Sequence, residues 1–273
     1  MHTFVDHHLA ARLEALVAQG LRQFASTTLE LWPESGAAQL EVAGGVAVYV
    51  MPGSPLNSAG GLGFAGEVGH DEIAAVEEFY EQRGERPVIN LCPLAHPSLT
   101  AVLGERGWSV VVFENVLVRE IAVGEALPEP DPHVEITLAE TDDERERWAL
   151  MVANGFSAPD DPTTAELRLG RTAAARADSR LLLASLEGEP AGTGELEVFG
   201  DVGWLSADTT LPPFRGRGVQ RSLQRARLAL ARDAGCTLAV TEAVPGSGSQ
   251  RNMERLGFRV AYTRADVAAP RRG

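Results

Sequence analysis

The chain has 273 residues, of which 44% are hydrophobic, and a formal net charge of -14 at pH 7. This length suits two domains of about 130 residues, each large enough to bury a core. No stretch approaches the roughly 18 uninterrupted apolar residues of a membrane span, and strong acidity argues against a nucleic acid partner, because phosphate contacts supply most of that affinity.

The first twenty residues carry charged side chains in an amphipathic pattern and have no unbroken apolar centre, so we expect no secretory signal and a cytoplasmic protein. Cys92 and Cys236 are too few for a disulfide framework or a metal cage, and each lies in an apolar strand pattern that predicts a buried thiol. The six histidines show no ligand spacing with acids or thiols. We therefore expect no metal.

A composition break divides the chain near its middle. Over residues 123–132, prolines and acidic residues replace any periodic pattern. We therefore predict a first domain at 1–122, a linker at 123–132 and a second domain at 133–273.

The second domain is predicted to alternate strands and helices. Apolar periodicity and turn residues predict strands near 134–136, 181–186, 191–199, 204–210, 237–241 and 259–264, and helices over 142–155, 163–176, 219–235 and 249–256, with a loop at 158–162.

A glycine-punctuated arginine turn precedes the third of these helices. From Thr209 to Arg232 the chain has no Asp or Glu, whereas arginines occupy positions 215, 217, 221, 225, 227 and 232. A helix N-terminus offers unpaired N–H groups and a partial positive charge, and Gly216 and Gly218 allow close backbone approach. The turn therefore predicts a phosphate site. The alternative is an ordinary solvated helix face.

Two motifs at this spacing resemble one known family. Arg215-x-x-Gly218 after a strand, then a long helix, a strand and Arg255-Leu256-Gly257-Phe258, is similar to the motif and C-terminal signature of the GNAT acetyltransferase superfamily. The resemblance extends from Thr193 to Arg264. It implies an α/β fold with a mixed twisted sheet flanked by helices, and acetyl-CoA as the cosubstrate.

The resemblance also implies the cofactor contacts. In the family, motif amides hold the CoA pyrophosphate, and the preceding strand end pairs with the pantetheine arm. By position the pyrophosphate contacts are Arg215, Gly216, Arg217, Gly218, Val219, Gln220 and Arg221, and the pantetheine contacts are Thr209, Thr210 and Leu211. Asn252 lies where related sequences touch CoA. Gln220 is a departure, since the family usually has Gly or Ala there.

The first half repeats the last part of the second with an offset of 150 residues. Apolar positions and glycines coincide in the pairs Ile73/Leu223, Val76/Ala226, Tyr80/Leu230 and Gly107/Gly257. Chance alignment of two helix–strand–helix–strand segments is the alternative. The positions of Arg217, Arg221 and Arg227 are occupied by Glu67, Asp71 and Glu77. We therefore predict two tandem GNAT-like halves, the N-terminal one degenerate and without a CoA site.

Acetyl transfer to an amine needs proton carriers. Glu195 and Glu197 share one strand face by alternation and are candidate general bases, and Asp208 is a third. A solvated strand carboxylate is the alternative for each. The family's usual acid positions hold Trp204 and Met253, which cannot transfer a proton in this role.

Tyr262 is the remaining candidate acid, unless it is a packed strand tyrosine. We expect Ser249 to cap the final helix.

The function predicted from the sequence is an acetyl-CoA-dependent N-acetyltransferase acting by direct transfer on a small amine-bearing molecule. The acidic balance favours a cationic acceptor. The tandem arrangement is also similar to that of mycothiol synthases, which acetylate a cysteinyl amine. A non-catalytic acyl-CoA-binding or sensing protein is the alternative of a different class, and a scaffold without cofactor is a third. Oligomeric state is left open.

Overall fold

The computed structural model describes residues 5–156 and 162–271. The predicted loop at 158–162 therefore lies outside the described residues, apart from Pro162. The chain divides into two compact units, the first formed by Met1–Asn115 with Ala261–Gly273 and the second by Val116–Val260.

The first unit contains three helices and a mixed sheet among its described residues. In chain order its elements are α1 (His7–Leu31), β1 (Ala38–Val42), β2 (Gly45–Tyr49), β3 (Ala59–Gly60), α2 (His70–Glu81), β4 (Val88–Leu91), α3 (Pro97–Glu105), the start of β5 (Ser109–Glu120) and most of β11 (Arg259–Ala268). The strand order is β1-β2-β3-β4-β11, with β3 and β4 parallel and the other pairs antiparallel.

Apolar side chains from both helices and strands form the core of the first unit. Ile73 and Tyr80 of α2 pack with Ile89 of β4 and Leu99 of α3. The Tyr80 hydroxyl is buried and donates to the Val48 carbonyl at 2.9 Å, which satisfies the polar end of the ring.

The second unit contains four helices and a set of parallel and antiparallel strands among its described residues. Its elements are β6 (Val134–Leu138), α4 (Asp142–Phe156), α5 (Thr164–Ala175), β7 (Ser179–Leu186), β8 (Glu189–Phe199), β9 (Val202–Thr210), α6 (Val219–Asp233), β10 (Leu238–Ala243) and α7 (Gly248–Arg255). The order is β10-β9-β8-β7-β6, with β9 and β10 parallel and the others antiparallel. The elements predicted for this half are confirmed to within a few residues at each end.

Apolar residues at helical spacing form the buried stripe of α6. Val219 and Leu223 are buried, and Ala226 and Leu230 pack against the same cluster. The stripe is wider than apolar periodicity indicated, because the buried face of α6 also includes the polar Ser222, Gln224 and Arg227.

The predicted repeat is present in the structure. Strands β4 and β10 begin at residues 88 and 238, and β5 and β11 begin at 109 and 259. Gly107 and Gly257 each follow a helix with φ of 74° and 87°, a left-handed conformation that favours glycine. The fold is therefore α/β with two GNAT-like halves.

The unit boundaries differ from the predicted domain limits. The first unit ends at Asn115 within β5, and residues 123–132 lie inside the second unit. The segment from Ala261 was expected in the second half but belongs to the first unit. The reason is strand pairing that sequence pattern cannot show, since Ala265–Ala268 pair antiparallel with Leu91–Val88 of β4.

Both cysteine thiols are buried, as predicted. No helix within the described ranges is long and apolar enough to span a bilayer. In the same ranges, no three His, Cys, Asp or Glu side chains are grouped so that they could hold a metal ion.

Candidate functional site

A cavity of about 530 Å³ lies at the N-terminal end of α6 in the second unit. It is lined by Gly155, Asp208, Thr209, Thr210, Phe214, Arg215, Gly216, Gly218, Val219, Gln220, Arg221, Asn252 and Arg255. The structure thus brings the strand end, the glycine turn and α7 to one cavity. Leu211 and Arg217 are the predicted contact residues that are not among these lining residues.

The turn before α6 presents backbone to the cavity. Gly216 has φ 76° and Gly218 has φ 87°, and both values disfavour a residue with a Cβ atom. Gly218 is the N-cap of α6, none of the described side chains caps the helix, and its first turn has no acidic residue. The first N–H groups of α6 therefore lack intrahelical partners and, with the helix dipole, favour an anion.

The corresponding helix of the first unit begins differently. Asp71 and Glu72 lie in the first turn of α2. The Glu72 carboxylate accepts a hydrogen bond from the Gly69 N–H at 2.9 Å. The first half therefore has its own negative charge where the second half has a cavity.

The arginines of the acid-free segment 209–232 do not form one continuous surface. Arg217 pairs with Glu187 at 2.7 Å, and Arg225 donates to the Glu129 carbonyl at 2.8 Å. Arg215 donates to the Thr210 carbonyl at 3.2 Å and lines the cavity. Exposed Arg221 lines it too, so the positive charge at the cavity comes from Arg215, Arg221 and Arg255.

Two polar side chains shape the rest of the cavity wall. The Thr210 Oγ1 atom is buried and has no hydrogen-bond partner among the described residues, so it can bind a ligand group. The Asn252 amide donates to the Gln220 Oε1 at 2.8 Å. The side chain that replaces the family's small residue at position 220 is thus held against α7.

A β-bulge places Asp208 on the cavity wall. The register places Glu195 opposite Ser206 and Thr193 opposite Thr209. Gly194 of β8 therefore faces two residues of β9, Ala207 and Asp208, and Ala207 has φ 51°. Such a bulge redirects a side chain and leaves ladder carbonyls without strand partners.

Arg227 fills the space behind this bulge. Its side chain is 0% exposed. The guanidinium donates to the Asp208 carboxylate and to the carbonyls of Ser206 at 2.8 Å, Glu195 at 3.2 Å and Leu223 at 3.3 Å. The prediction that Arg227 belonged to an anion-binding run is wrong for this side chain, because its charge is used inside the fold.

The candidate bases Glu195 and Glu197 share one strand face, as predicted. Both carboxylates bind Arg176, and the Glu197–Arg176 distance is 2.7 Å. Glu195 also accepts from Ser179 and Ser206. They are 3% and 7% exposed and do not line the cavity. Their catalytic role stays a prediction, while the structure gives them a buried ionic contact.

Burial raises the pKa of Glu197 to about 7, because desolvation outweighs the attraction of Arg176 and Glu195 adds repulsion. The folded state therefore binds a proton that the unfolded chain releases near pH 4.5. We expect the free energy of unfolding to fall by about 2–3 kcal/mol as pH rises from about 4.5 to about 7.

Urea unfolding across this pH range tests the expectation. Glu197→Gln should flatten the dependence, whereas Glu189→Gln, at the exposed start of the same strand, should leave it unchanged. Equal slopes for the Glu197→Gln variant and the parent would contradict the assignment.

Tyr262 belongs to the first unit and is not among the cavity-lining residues. Its hydroxyl donates to Glu14 at 2.7 Å, and burial, more than the nearby Glu14 charge, raises its pKa. A proton-transfer role for Tyr262 stays a prediction. Trp204 and Met253 are buried core residues.

The expectation that Ser249 caps the last helix is wrong. Helix α7 begins one residue earlier, and the Ser247 hydroxyl accepts from the Gln250 N–H at 3.1 Å. The Gly-Ser-Gly-Ser segment offers two candidate caps, and the choice depends on where the loop ends.

Gly155, Phe214 and Arg255 are cavity residues that were not predicted from the sequence. Gly155 lies at the end of α4, and a Cβ atom there would overlap the Thr209 side chain. Arg255 was noted only as part of the C-terminal signature. Their positions could have indicated this role. Each lies at or just after the end of a helix or strand, next to a segment that already contained a predicted CoA contact.

Comparisons with known proteins agree with this architecture. Residues 141–258 match the family model of the acetyltransferase (GNAT) family. A GCN5-related N-acetyltransferase from Kribbella flavida aligns with a TM-score of 0.64 and 20% identity, covering 91% of this chain and 95% of that one.

Two further solved structures have the same fold. One is a GCN5-related N-acetyltransferase from Sphaerobacter thermophilus, with a TM-score of 0.57, 19% identity and coverage of 72% of this chain and 67% of that one. The other is a tandem GNAT protein from the clavulanic acid biosynthesis pathway, with a TM-score of 0.56, 14% identity and coverage of 82% and 73%. No curated protein sequence matches the chain. The chain therefore carries an acetyltransferase domain of the GNAT family at residues 141–258, within a fold of two GNAT-like halves.

Proposed function

We propose that the protein is an acetyl-CoA-dependent N-acetyltransferase that transfers the acetyl group directly to a small amine-bearing molecule. GNAT membership of residues 141–258 indicates acyl-CoA-dependent acetyl transfer in general. The observation that carries the finer proposal is one cavity lined both by arginines and the first residues of α6 and by the Asp208 carboxylate.

The donor wall fits CoA. The glycine turn and the first turn of α6 offer backbone N–H groups to a pyrophosphate, and Arg215 and Arg221 add positive charge. Thr209 and Thr210 line the cavity at the end of β9, and the Thr210 hydroxyl has no hydrogen-bond partner in the part of the chain that the structure describes. Acetyl-CoA supplies the activated thioester, and these residues would hold and orient it.

The acceptor wall fits a cation. Asp208 is the acidic residue among those that line the cavity. Burial raises its pKa, although Arg227 opposes the shift. In direct transfer the cationic amine first gives a proton to the Asp208 carboxylate, and the neutral nitrogen then attacks the thioester carbonyl. The C–N bond forms as the C–S bond breaks, and the proton that nitrogen then loses passes to the thiolate, so that CoA leaves as the thiol.

Thiol release from acetyl-CoA in the presence of an amine panel tests the proposal. We expect one or more small cationic amines to accelerate thiol release and to yield the N-acetyl product. Tight acetyl-CoA binding with no turnover across the panel would favour the non-catalytic sensing protein, for which the buried Trp204 and Met253 at the family's acid positions are the supporting observation.

Reversing the charge of Arg221 should weaken CoA binding at least about tenfold, because a carboxylate at a helix start repels a polyphosphate. Calorimetric titration measures this together with a stoichiometry that we expect near one. Asp71→Arg in the first unit is the matched change. It should neither create a second site nor alter the first, since Glu72 already occupies the start of α2. A stoichiometry near two, or unchanged affinity in Arg221→Glu, would show that CoA binds elsewhere.

A further inference from the structure

The bulge between β8 and β9 is held by one side chain from another element. Ala207 has φ 51°, a conformation that a residue with a Cβ atom rarely adopts. Strained backbone of this kind persists only where surrounding contacts determine it. At this bulge the Thr193 hydroxyl of β8 donates to the Ala207 carbonyl at 3.4 Å, and the guanidinium of Arg227 of α6 binds the carbonyls of Ser206 and Glu195, one on each strand.

Room for the guanidinium depends on Gly194. A Cβ atom at this position would lie 2.8 Å from the Arg227 Nε and 3.0 Å from its Cζ, too close for either. The Gly194 carbonyl is also fixed, since it accepts from the Trp148 indole at 3.2 Å. The position of the Arg227 guanidinium therefore requires glycine at position 194.

The same guanidinium contacts Asp208, which is 15% exposed and lines the cavity. Within the described chain, Arg227 is the charged group in contact with this carboxylate. The other charged lining residues are Arg215, Arg221 and Arg255. Across the strand pair, Glu195 directs its carboxylate to Arg176, Ser179 and Ser206.

We infer that Arg227 is a positioning residue for acetyl transfer, which fixes the bulge and holds the Asp208 carboxylate ionised at the acceptor wall of the cavity. The inference rests on the proposed function, because the acceptor role of Asp208 does. The inference gives Arg227 a role different from that of Arg215 and Arg221, which we propose bind CoA. Loss of Arg227 should impair use of the amine and leave CoA binding intact.

Three variants separate charge from shape. Arg227→Met removes the cation beside Asp208, Arg227→Lys keeps a cation without the forked donors, and Gly194→Ala displaces an unchanged arginine. Arg232→Met is the control, because Arg232 lies on the same helix and also donates to a carbonyl, that of Glu125 at 3.0 Å. For each protein we would measure thermal unfolding, CoA affinity by calorimetry, and the pH dependence of kcat/KM for an amine found in the panel.

We expect all three variants to bind CoA within about twofold of the parent and to lose at least tenfold in kcat/KM for the amine. Arg227→Met should also move the acidic limb of the profile up by at least one pH unit, because a neighbouring cation lowers a carboxyl pKa. Arg227→Lys should keep the limb in place, and Asp208→Asn should abolish it. The control should match the parent.

A folded Arg227→Met protein would overturn the inference if its kcat/KM and the acidic limb of its pH profile matched those of the parent. Equal losses of CoA affinity and kcat/KM would also overturn it, because they indicate general collapse of the site. If Arg227→Met does not fold, Arg227→Lys and Gly194→Ala decide on the same criteria. If the parent acetylates no amine, the proposed function fails separately. The Asp208 carboxyl pKa, followed by NMR in the parent and in Arg227→Met, then tests the contact itself: an upward shift supports it and no shift overturns it.

Discussion

Replacing Gly218 with leucine is expected to raise the Kd for CoA by about 100-fold or more, which corresponds to about 2.7 kcal/mol. Gly218 has φ 87° and lines the cavity at the start of α6. A Cβ atom there would meet only the Arg221 Nη2 at 3.6 Å and the Asp131 Oδ2 at 3.9 Å. The protein can accommodate that atom, so the larger side chain would act mainly against a ligand that approaches the backbone.

Gly235→Leu is the matched control, because Gly235 lies just beyond the other end of α6 with φ 82° and open space around it. Both variants carry the cost of a left-handed residue, about 1–2 kcal/mol of stability. Only Gly218→Leu should lose CoA binding in a calorimetric titration. Comparable affinity losses in both variants would mean that helix strain, and not the cavity, controls binding.

Arg176→Met is expected to destabilise the protein by about 3–5 kcal/mol, because it leaves two buried carboxylates without their cation. Arg176 contacts both Glu195 and Glu197, and all three side chains are buried. The loss should be smaller at pH 5 than at pH 8, since burial raises the pKa of Glu197 and its protonation removes part of the uncompensated charge.

Urea unfolding at the two pH values measures the effect. Arg171→Met supplies the comparison, because Arg171, on the helix that ends just before Arg176, pairs with Glu146 at 2.6 Å with both side chains about 40% exposed (39% and 43%). That pair should contribute less than about 1 kcal/mol. Equal destabilisation by the two changes would refute a buried ionic contact at Arg176.

The architecture was predictable because its signals are local or repeated. Turn residues and apolar periodicity bound the strands and helices of the second half, and the offset of 150 residues showed the two-half plan. The glycine turn was predictable for a similar reason, since Gly216 and Gly218 directly precede the helix whose N-terminus they expose. By contrast, the pairing of Ala265–Ala268 with β4 joins residues far apart in sequence.

The contacts of charged side chains were not predictable from their spacing. Arg221 and Arg227 both belong to one acid-free run, yet one is exposed at the cavity and the other is fully buried. Arg227 can be buried because Gly194, 33 positions earlier and on strand β8, leaves room for its guanidinium. Glu195 and Glu197 likewise resemble catalytic carboxylates in sequence, and only the fold shows that Arg176 occupies them.

The two corresponding helices, α2 and α6, also differ in what accepts hydrogen bonds from the N–H groups at their N-terminal ends. In α2 the Glu72 carboxylate is part of the chain and satisfies the Gly69 N–H whatever the surrounding solution contains. At the start of α6, no side chain of the described residues accepts a hydrogen bond from the free N–H groups. If CoA binds there, the helix obtains its counter-charge from solution, and the folding equilibrium of the second unit becomes a function of metabolite concentration. Above the Kd, each tenfold rise in free CoA would add about 1.4 kcal/mol to the stability of that unit, while α2 would stay indifferent to it.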